Sequence, residues 1–234
     1  MIEANLINAA HENDVDKLIY LGSSCIYPKM AQQPLKEEYL LTGPLEETNE
    51  WYAIAKIAGI KMCQALNKQF GRNYISMMPT NLYGPRDNFD LETSHVIPAM
   101  IRKFHEAKVN GHVPVSLWGS GAPMREFLHV EDLADSVCFI MEYNGILDFD
   151  LINAGTGRDL TIKELAETIQ EVVGHKGKII WDSTKPDGTP RKLMDVGRLE
   201  SLGWSASINL DQGMRGTYNW FQENISEFKQ VKIN

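Results

Sequence analysis

The sequence has few cysteines, no long apolar run and too little positive charge to balance its acids, and each shortage removes a class of function. Its three cysteines, Cys25, Cys63 and Cys138, stand far apart in 234 residues, with no CxxC pair. That spacing speaks against a zinc centre and against a disulfide framework, so no metal is expected. No stretch approaches the roughly 20 apolar residues that a membrane helix requires. The opening MIEANLINAAH has neither the basic start nor the long apolar centre of a signal peptide. It reads as helix, and the expected location is the cytoplasm, with no membrane partner. Lys and Arg number 23 against 31 Asp and Glu, a formal charge of −8. Generic nucleic-acid binding is therefore not expected, and an anionic ligand must find a local basic patch.

The rest of the composition, 43% hydrophobic with moderate glycine and proline, is that of an ordinary globular chain. Hydrophobic periodicity predicts helix over 5–11, a short apolar strand over 17–21 and helix over 51–70, stopped by Gly71. A second strand over 73–78 follows, then a loop over 79–85. Helix, strand, helix, strand at this spacing indicates a parallel sheet with crossover helices. Further on come helices over 94–107 and 130–143, strands over 115–118 and 149–153, and a capping box, Thr161-x-x-Glu164, opening a helix that ends near Gly174. A strand over 178–181, a loop over 185–192 and helices over 195–202 and 210–223 complete the reading. The fold class is α/β, and no internal repeat or low-complexity segment interrupts it.

The sharpest local signal is Tyr52-Ala53-Ile54-Ala55-Lys56. Residues four apart share a helix face, so the phenol and the ammonium can enter one pocket. An ammonium there favours the ionised phenol and makes Tyr52 a usable proton donor to a carbonyl oxygen during hydride delivery. Any amphipathic helix with Tyr and Lys at this spacing would match, so the pattern needs company. Ser23 supplies some, because it follows a strand where open α/β sheets place binding residues, and its hydroxyl can bond the same oxygen. Ala55, Gly59 and Cys63 form a small-residue stripe on the same helix, which reads as close packing.

Several spaced stretches then agree with one family. Leu21-Gly22-Ser23-Ser24-Cys25-Ile26-Tyr27-Pro28, Tyr52 to Lys56, Pro79-Thr80-Asn81-Leu82-Tyr83-Gly84-Pro85, Ser94-His95-Val96-Ile97-Pro98, Pro123-Met124-Arg125-Glu126-Phe127, Lys185-Pro186-Asp187-Gly188-Thr189-Pro190-Arg191-Lys192 and Leu202-Gly203-Trp204 resemble the GDP-L-fucose synthases of the extended short-chain dehydrogenases. The likeness spans nearly the whole chain. It implies an NADP(H)-dependent enzyme that epimerises GDP-4-keto-6-deoxy-D-mannose at C3 and C5 and then reduces the C4 ketone. The 4-keto group acidifies the neighbouring C–H bonds, so a thiolate can take a proton while an acid returns one on the opposite face.

By this resemblance Cys25 and His95 are the epimerising pair, with Tyr52, Lys56 and Ser23 serving the reduction. Leu21, Gly22, Ser23, Ser24, Lys56, Pro79, Asn81, Leu82 and His95 contact the nicotinamide half of the cofactor. Lys103, Trp118, Arg125, Asp187 and Lys192 line the GDP-sugar site, with Arg102 the alternative to Lys103. Cys25 also separates relatives: nucleotide-sugar dehydratases of this superfamily carry an Asp-Glu pair near this point, and Ser24-Cys25-Ile26 offers no carboxylate.

The resemblance further implies a dinucleotide domain over 1–86 and 127–156, a smaller α/β substrate domain over 87–126 and 157–234, and a homodimer paired through the 51–70 helix. One family feature is absent. No GxGxxG or GxxGxxG follows an early strand, and Gly119-Ser-Gly121 and Gly155-Thr-Gly157 are too short to replace it. The expectation is a partial Rossmann-type sheet without its first βα units, with an exposed edge at 17–21 and weak activity of the isolated chain. Two alternatives stay open: another NADP-dependent nucleotide-sugar epimerase or reductase, and a non-catalytic dehydrogenase-fold protein that binds a nucleotide sugar.

Overall fold

The computed structural model describes residues 1–228. Its contacts divide the chain into two compact units: Met1–Asn81 with Glu131–Arg158 and Lys192–Ala206, and Leu82–Val130 with Asp159–Arg191 and Ser207–Asn234.

In the first unit, the β-branched and aromatic run KLIYL forms strand β1 (Lys17–Leu21), which pairs in parallel with β2 (Asn73–Pro79), Leu21 standing opposite Met77. A third strand, β6 (Leu151–Ala154), lies on the other side of β2, giving the order β1-β2-β6. This is a Rossmann-type parallel arrangement, and β1 is its edge strand among the described residues. Helix α1 (Ile2–Glu12) precedes β1, and α2 (Glu50–Phe70) makes the crossover to β2. Gly71 ends α2 in the left-handed region, at φ 67°, and its N–H bonds the Asn67 carbonyl at 2.9 Å. A glycine meets that φ without the strain that a Cβ would bring.

The core of this unit joins Ile7, Tyr20, Ile26, Ile57, Ile60, Cys63, Tyr74, Met78 and Leu151. Burying one such aliphatic side chain stabilises the fold by about 1.5–3 kcal/mol. Of the small-residue stripe, Gly59 and Cys63 are buried but Ala55 is exposed. A Cβ on Gly59 would lie 2.5 Å from the Tyr20 ring, so this glycine lets β1 and α2 approach.

Helices α4 (Val130–Glu142) and α6 (Gly197–Ser201) also belong here, apart from Val130 itself. Residues 192–206, expected with the substrate domain, pack in this first unit instead. Leu35 N donates to Leu193 O at 2.7 Å, Asp195 N donates to Leu35 O at 2.8 Å, and Trp204 Nε1 reaches Asp135 at 2.7 Å. Such long-range bonds between loops leave no periodic trace in a sequence.

The second unit contains β3 (Asn81–Tyr83, Asn81 itself grouped with the first unit), β4 (Val115–Trp118), β5 (Met124–His129), β7 (Asp159–Thr161) and β8 (Ile179–Asp182). It also holds helices α3 (Val96–Val109), α5 (Ile162–Val173) and α7 (Leu210–Phe228). Strands β3, β5 and β7 form one sheet, and β4 pairs with β8 in parallel. The segment over 79–85, expected as loop, thus contains a strand, and β5 and β7 had no strand reading. All three are short, and β3 and β7 have only three residues, too few for alternation to register.

The capping box is present: Thr161 Oγ1 accepts from Glu164 N at 3.0 Å, and Glu164 Oε2 accepts from Thr161 N at 2.7 Å. Such a cap contributes about 1 kcal/mol. The core joins Phe89, Ile101, Phe104, Leu117, Leu165, Ile169, Met214 and Phe221. The expected substrate domain runs to 234, but 229–234 lie outside the described residues. No helix among the described residues is long and apolar enough to cross a membrane.

Candidate active site

Helix α2 brings the Tyr52 and Lys56 side chains together, because four residues advance little more than one turn. Lys56 Nζ lies 5.8 Å from the centre of the Tyr52 ring. The same ammonium donates to the Leu21 carbonyl at 3.1 Å, which ties the helix to the C-terminal end of β1. Tyr52 is about half exposed, at 48%, so its hydroxyl is accessible to a ligand.

Beyond β1, Gly22 N continues the ladder by donating to Met77 O at 2.8 Å. Gly22 is buried, and a Cβ there would stand 2.5 Å from Met78 Sδ, which explains the glycine by packing. Ser23 is extended and caps a short 3₁₀ turn over Ser24–Ile26, its Oγ accepting from Cys25 N at 3.3 Å. Ser24 is buried, whereas Ser23 and Cys25 are half-buried and Leu21 is exposed. On the neighbouring strand Pro79 is half-buried at the end of β2, and Asn81, at the start of β3, is half-buried as well.

Sequence reasoning missed Asn49. It is positioned to cap α2, yet it makes no side-chain cap bond. Its amide Nδ2 instead donates to Cys25 Sγ at 2.8 Å. A polar residue before a helix reads first as a cap, and only the fold reveals that this one faces a sulfur across 24 residues of chain. The other two thiols have different surroundings. Burial pushes the Cys63 thiol up to about 11, and Cys138 is exposed on α4.

The remaining candidates divide between the units. Leu82, His95, Lys103, Trp118, Arg125 and Asp187 belong to the second unit, and Lys192 belongs to the first. His95 is exposed at the N-terminus of α3 and makes no side-chain cap bond. On the same helix Arg102 is engaged, paired with Glu106 at 2.8 Å and bonded to Phe89 O at 3.0 Å. Among the described residues Lys103 makes one long bond, of 3.4 Å to Ser116 O, so its ammonium is less engaged than the Arg102 guanidinium.

Trp118 is 68% exposed at the end of β4, with Lys185 Nζ 5.5 Å from its ring centre. Arg125 is half-buried on β5 and bonds the Met124 carbonyl at 2.7 Å. No carboxylate pairs with it among the described residues, and burial pushes its guanidinium below the usual arginine range. Asp187, expected to touch the sugar, is already employed: its two oxygens accept from Ser120 N and Ser120 Oγ, each at 2.7 Å. Those bonds hold its carboxyl below the usual range and pin the loop after β4 to the loop after β8. Gly119, at φ 79°, makes the approach possible, since a Cβ there would collide with the Asp187 carboxylate. No group of three or more His, Cys, Asp or Glu able to hold a metal ion occurs among the described residues.

Comparison with known proteins shows the family of the chain. The model of the NAD dependent epimerase/dehydratase family matches residues 1–155. The chain belongs to this family and, within it, to the GDP-L-fucose synthase group. It is 58% identical to the GDP-L-fucose synthase of Escherichia coli K12, over 98% of this chain and 74% of that protein. It is also 58% identical to GDP-L-fucose synthase 1 of Arabidopsis thaliana, over 96% of this chain and 69% of that protein. Among solved structures, a GDP-L-fucose synthetase from Naegleria fowleri bound to NADP superposes with a TM-score of 0.88 at 29% identity, covering 96% of this chain and 71% of that one.

Proposed function

We propose that this chain serves the NADPH-dependent conversion of GDP-4-keto-6-deoxy-D-mannose to GDP-L-fucose, through epimerisation at C3 and C5 and reduction at C4. One observation carries the reading: the Tyr–Lys pair is bonded through Lys56 to the end of β1, and an amide-bonded thiol lies in the turn that follows the same strand. The dyad suits carbonyl reduction and the thiol suits proton abstraction beside a ketone, so one sugar could meet both.

In the first stage, the thiolate of Cys25 takes the proton from a carbon beside the C4 ketone, and the electron pair moves into the enolate. His95, the acid that the resemblance implies, returns a proton to the opposite face of that carbon; Cys25 then gives its proton to solvent, His95 takes one from solvent, and the exchange is repeated at the second centre. In the second stage Tyr52 gives its phenolic proton to O4 and recovers one from solvent, while Ser23 hydrogen-bonds the same oxygen. The cofactor supplies the hydride that C4 receives. The residues fit a nicotinamide cofactor. An ammonium has three N–H donors, and Lys56 uses two, on Leu21 O and on Glu3 at 2.9 Å, which leaves one for a ribose hydroxyl. Leu21, 40% exposed, offers apolar surface to the nicotinamide ring, with Pro79, Asn81 and Leu82 as further contacts.

Within the second unit Arg125 and Lys103 offer cations to the GDP diphosphate, and Trp118 offers a ring face. Asp187 acts on this site by holding its loop. The enzyme works in the cytoplasm, where nucleotide sugars and NADPH are found. It forms a homodimer through α2, whose exposed side carries Trp51 at 80%, Ile54 at 47%, and the exposed alanines Ala55, Ala58 and Ala65.

The deciding experiment incubates the chain with GDP-4-keto-6-deoxymannose in heavy water, with and without NADPH. Deuterium at C3 and C5 in the absence of cofactor, and GDP-L-fucose in its presence, are the expected products. A reduced sugar that carries no deuterium at C3 or C5 would exclude the epimerase half and leave a simple reductase.

A further inference from the structure

We infer that Glu3 is a positioning residue for Lys56, its carboxylate fixing the ammonium between the end of β1 and the Tyr52 ring. The inference rests on the function proposed above and deepens it. Lys56 has a long, flexible stem that could place its charge in many directions. Three contacts reduce that choice. Glu3 Oε1 lies 2.9 Å from Nζ, the Leu21 carbonyl lies 3.1 Å from it, and the Tyr20 ring centre lies 5.2 Å away. They come from two elements, Glu3 from α1 and the other two from the last two residues of β1. With the Tyr52 ring at 5.8 Å, the ammonium stands among four groups, and only Glu3 carries a formal charge.

Glu3 is itself held in place. Partial burial pulls its carboxyl upward, but the Lys56 ammonium bonded to it and the nearby Tyr20 hydroxyl outweigh this and hold it below the usual range. Burial first, with the neighbouring Glu3 carboxylate second, pushes the Tyr20 phenol well above its ordinary value, and its hydroxyl donates to Lys56 O at 3.5 Å. Gly59 supplies the space, because a Cβ there would strike the Tyr20 ring. The side chains of Lys56 and Glu3 are 19% and 28% exposed, less screened than an open surface pair. The titratable groups facing Lys56 and Tyr20 from the packed elements are thus Glu3 on α1 and Tyr52 and Cys63 on α2.

A mere tie between α1 and α2 would affect everything that depends on the fold. A positioning role would affect the reduction and spare the epimerisation, because Cys25 and His95 carry out the latter without Lys56. The test uses Glu3→Gln and Glu3→Asp in the full chain, with two readouts. In trace acetylation with acetic anhydride, Lys56 of Glu3→Gln should label several-fold faster than in the parent, relative to Lys68 on the same helix. Glu3→Asp should restore part of the protection. In turnover, Glu3→Gln should reduce GDP-4-keto-6-deoxymannose at least ten-fold more slowly, while deuterium enters C3 and C5 at the parent rate. Unchanged labelling of Lys56, or an equal loss in both half-reactions, would overturn the inference. If the parent chain shows neither half-reaction, the functional reading fails, and the labelling ratio still decides the role of Glu3.

Discussion

Asn49 donates its side-chain amide to the sulfur of Cys25 at 2.8 Å, joining the residue that enters α2 to the turn that leaves β1. A donor at this point fixes the position of the sulfur that must receive a proton. A hydrogen bond to a charged acceptor is worth about 1.5–3 kcal/mol, equivalent to roughly ten- to hundred-fold in rate. Asn49→Ala is therefore expected to slow deuterium incorporation at C3 and C5 by that factor while reduction of a pre-epimerised ketone proceeds. Parallel rates of incorporation in parent and variant would show that the amide serves only to close the turn.

Arg125 offers a second test. It is half-buried with no acidic partner among the described residues, an arrangement that disfavours the charge unless an anion arrives. Replacing it by Lys keeps the charge but loses the planar fork that matches a phosphate. Arg125→Lys should raise the KM for the GDP-sugar about ten-fold and leave the KM for NADPH unchanged, as read by steady-state kinetics with each substrate varied in turn. A change confined to NADPH would place Arg125 in the other half of the reaction.

Cys63 makes a prediction about pH. Burial pushes its thiol from the usual value up to about 11, so the folded chain holds this proton more tightly than the unfolded chain does. The stabilisation is complete below the unfolded value and is lost as pH rises through about 11. At about 1.4 kcal/mol per unit, the loss amounts to roughly 2–3 kcal/mol. Urea midpoints taken from pH 8 to 10.5 should fall more steeply for the parent than for Cys63→Ala, although the variant starts lower because of its cavity. Equal slopes would mean that the thiol ionises no differently in the two states.

Some of this was legible in the sequence because local physics writes it there. The run KLIYL and the stop at Gly71 depend on neighbours a few residues away, as does the Thr161–Glu164 box. The Tyr52–Lys56 juxtaposition follows from the helical repeat alone. The tertiary structure decided what those elements face. It put the Asn49 amide on Cys25 and the Asp187 carboxylate on Ser120. Glu3 gained its role only when α1 packed beside α2, and Lys192–Ala206 joined the first unit through bonds to Leu35 and Asp135. Side-chain chemistry is a property of the chain, whereas the partner of each group is set by packing between segments far apart in it. Periodicity carries no record of that.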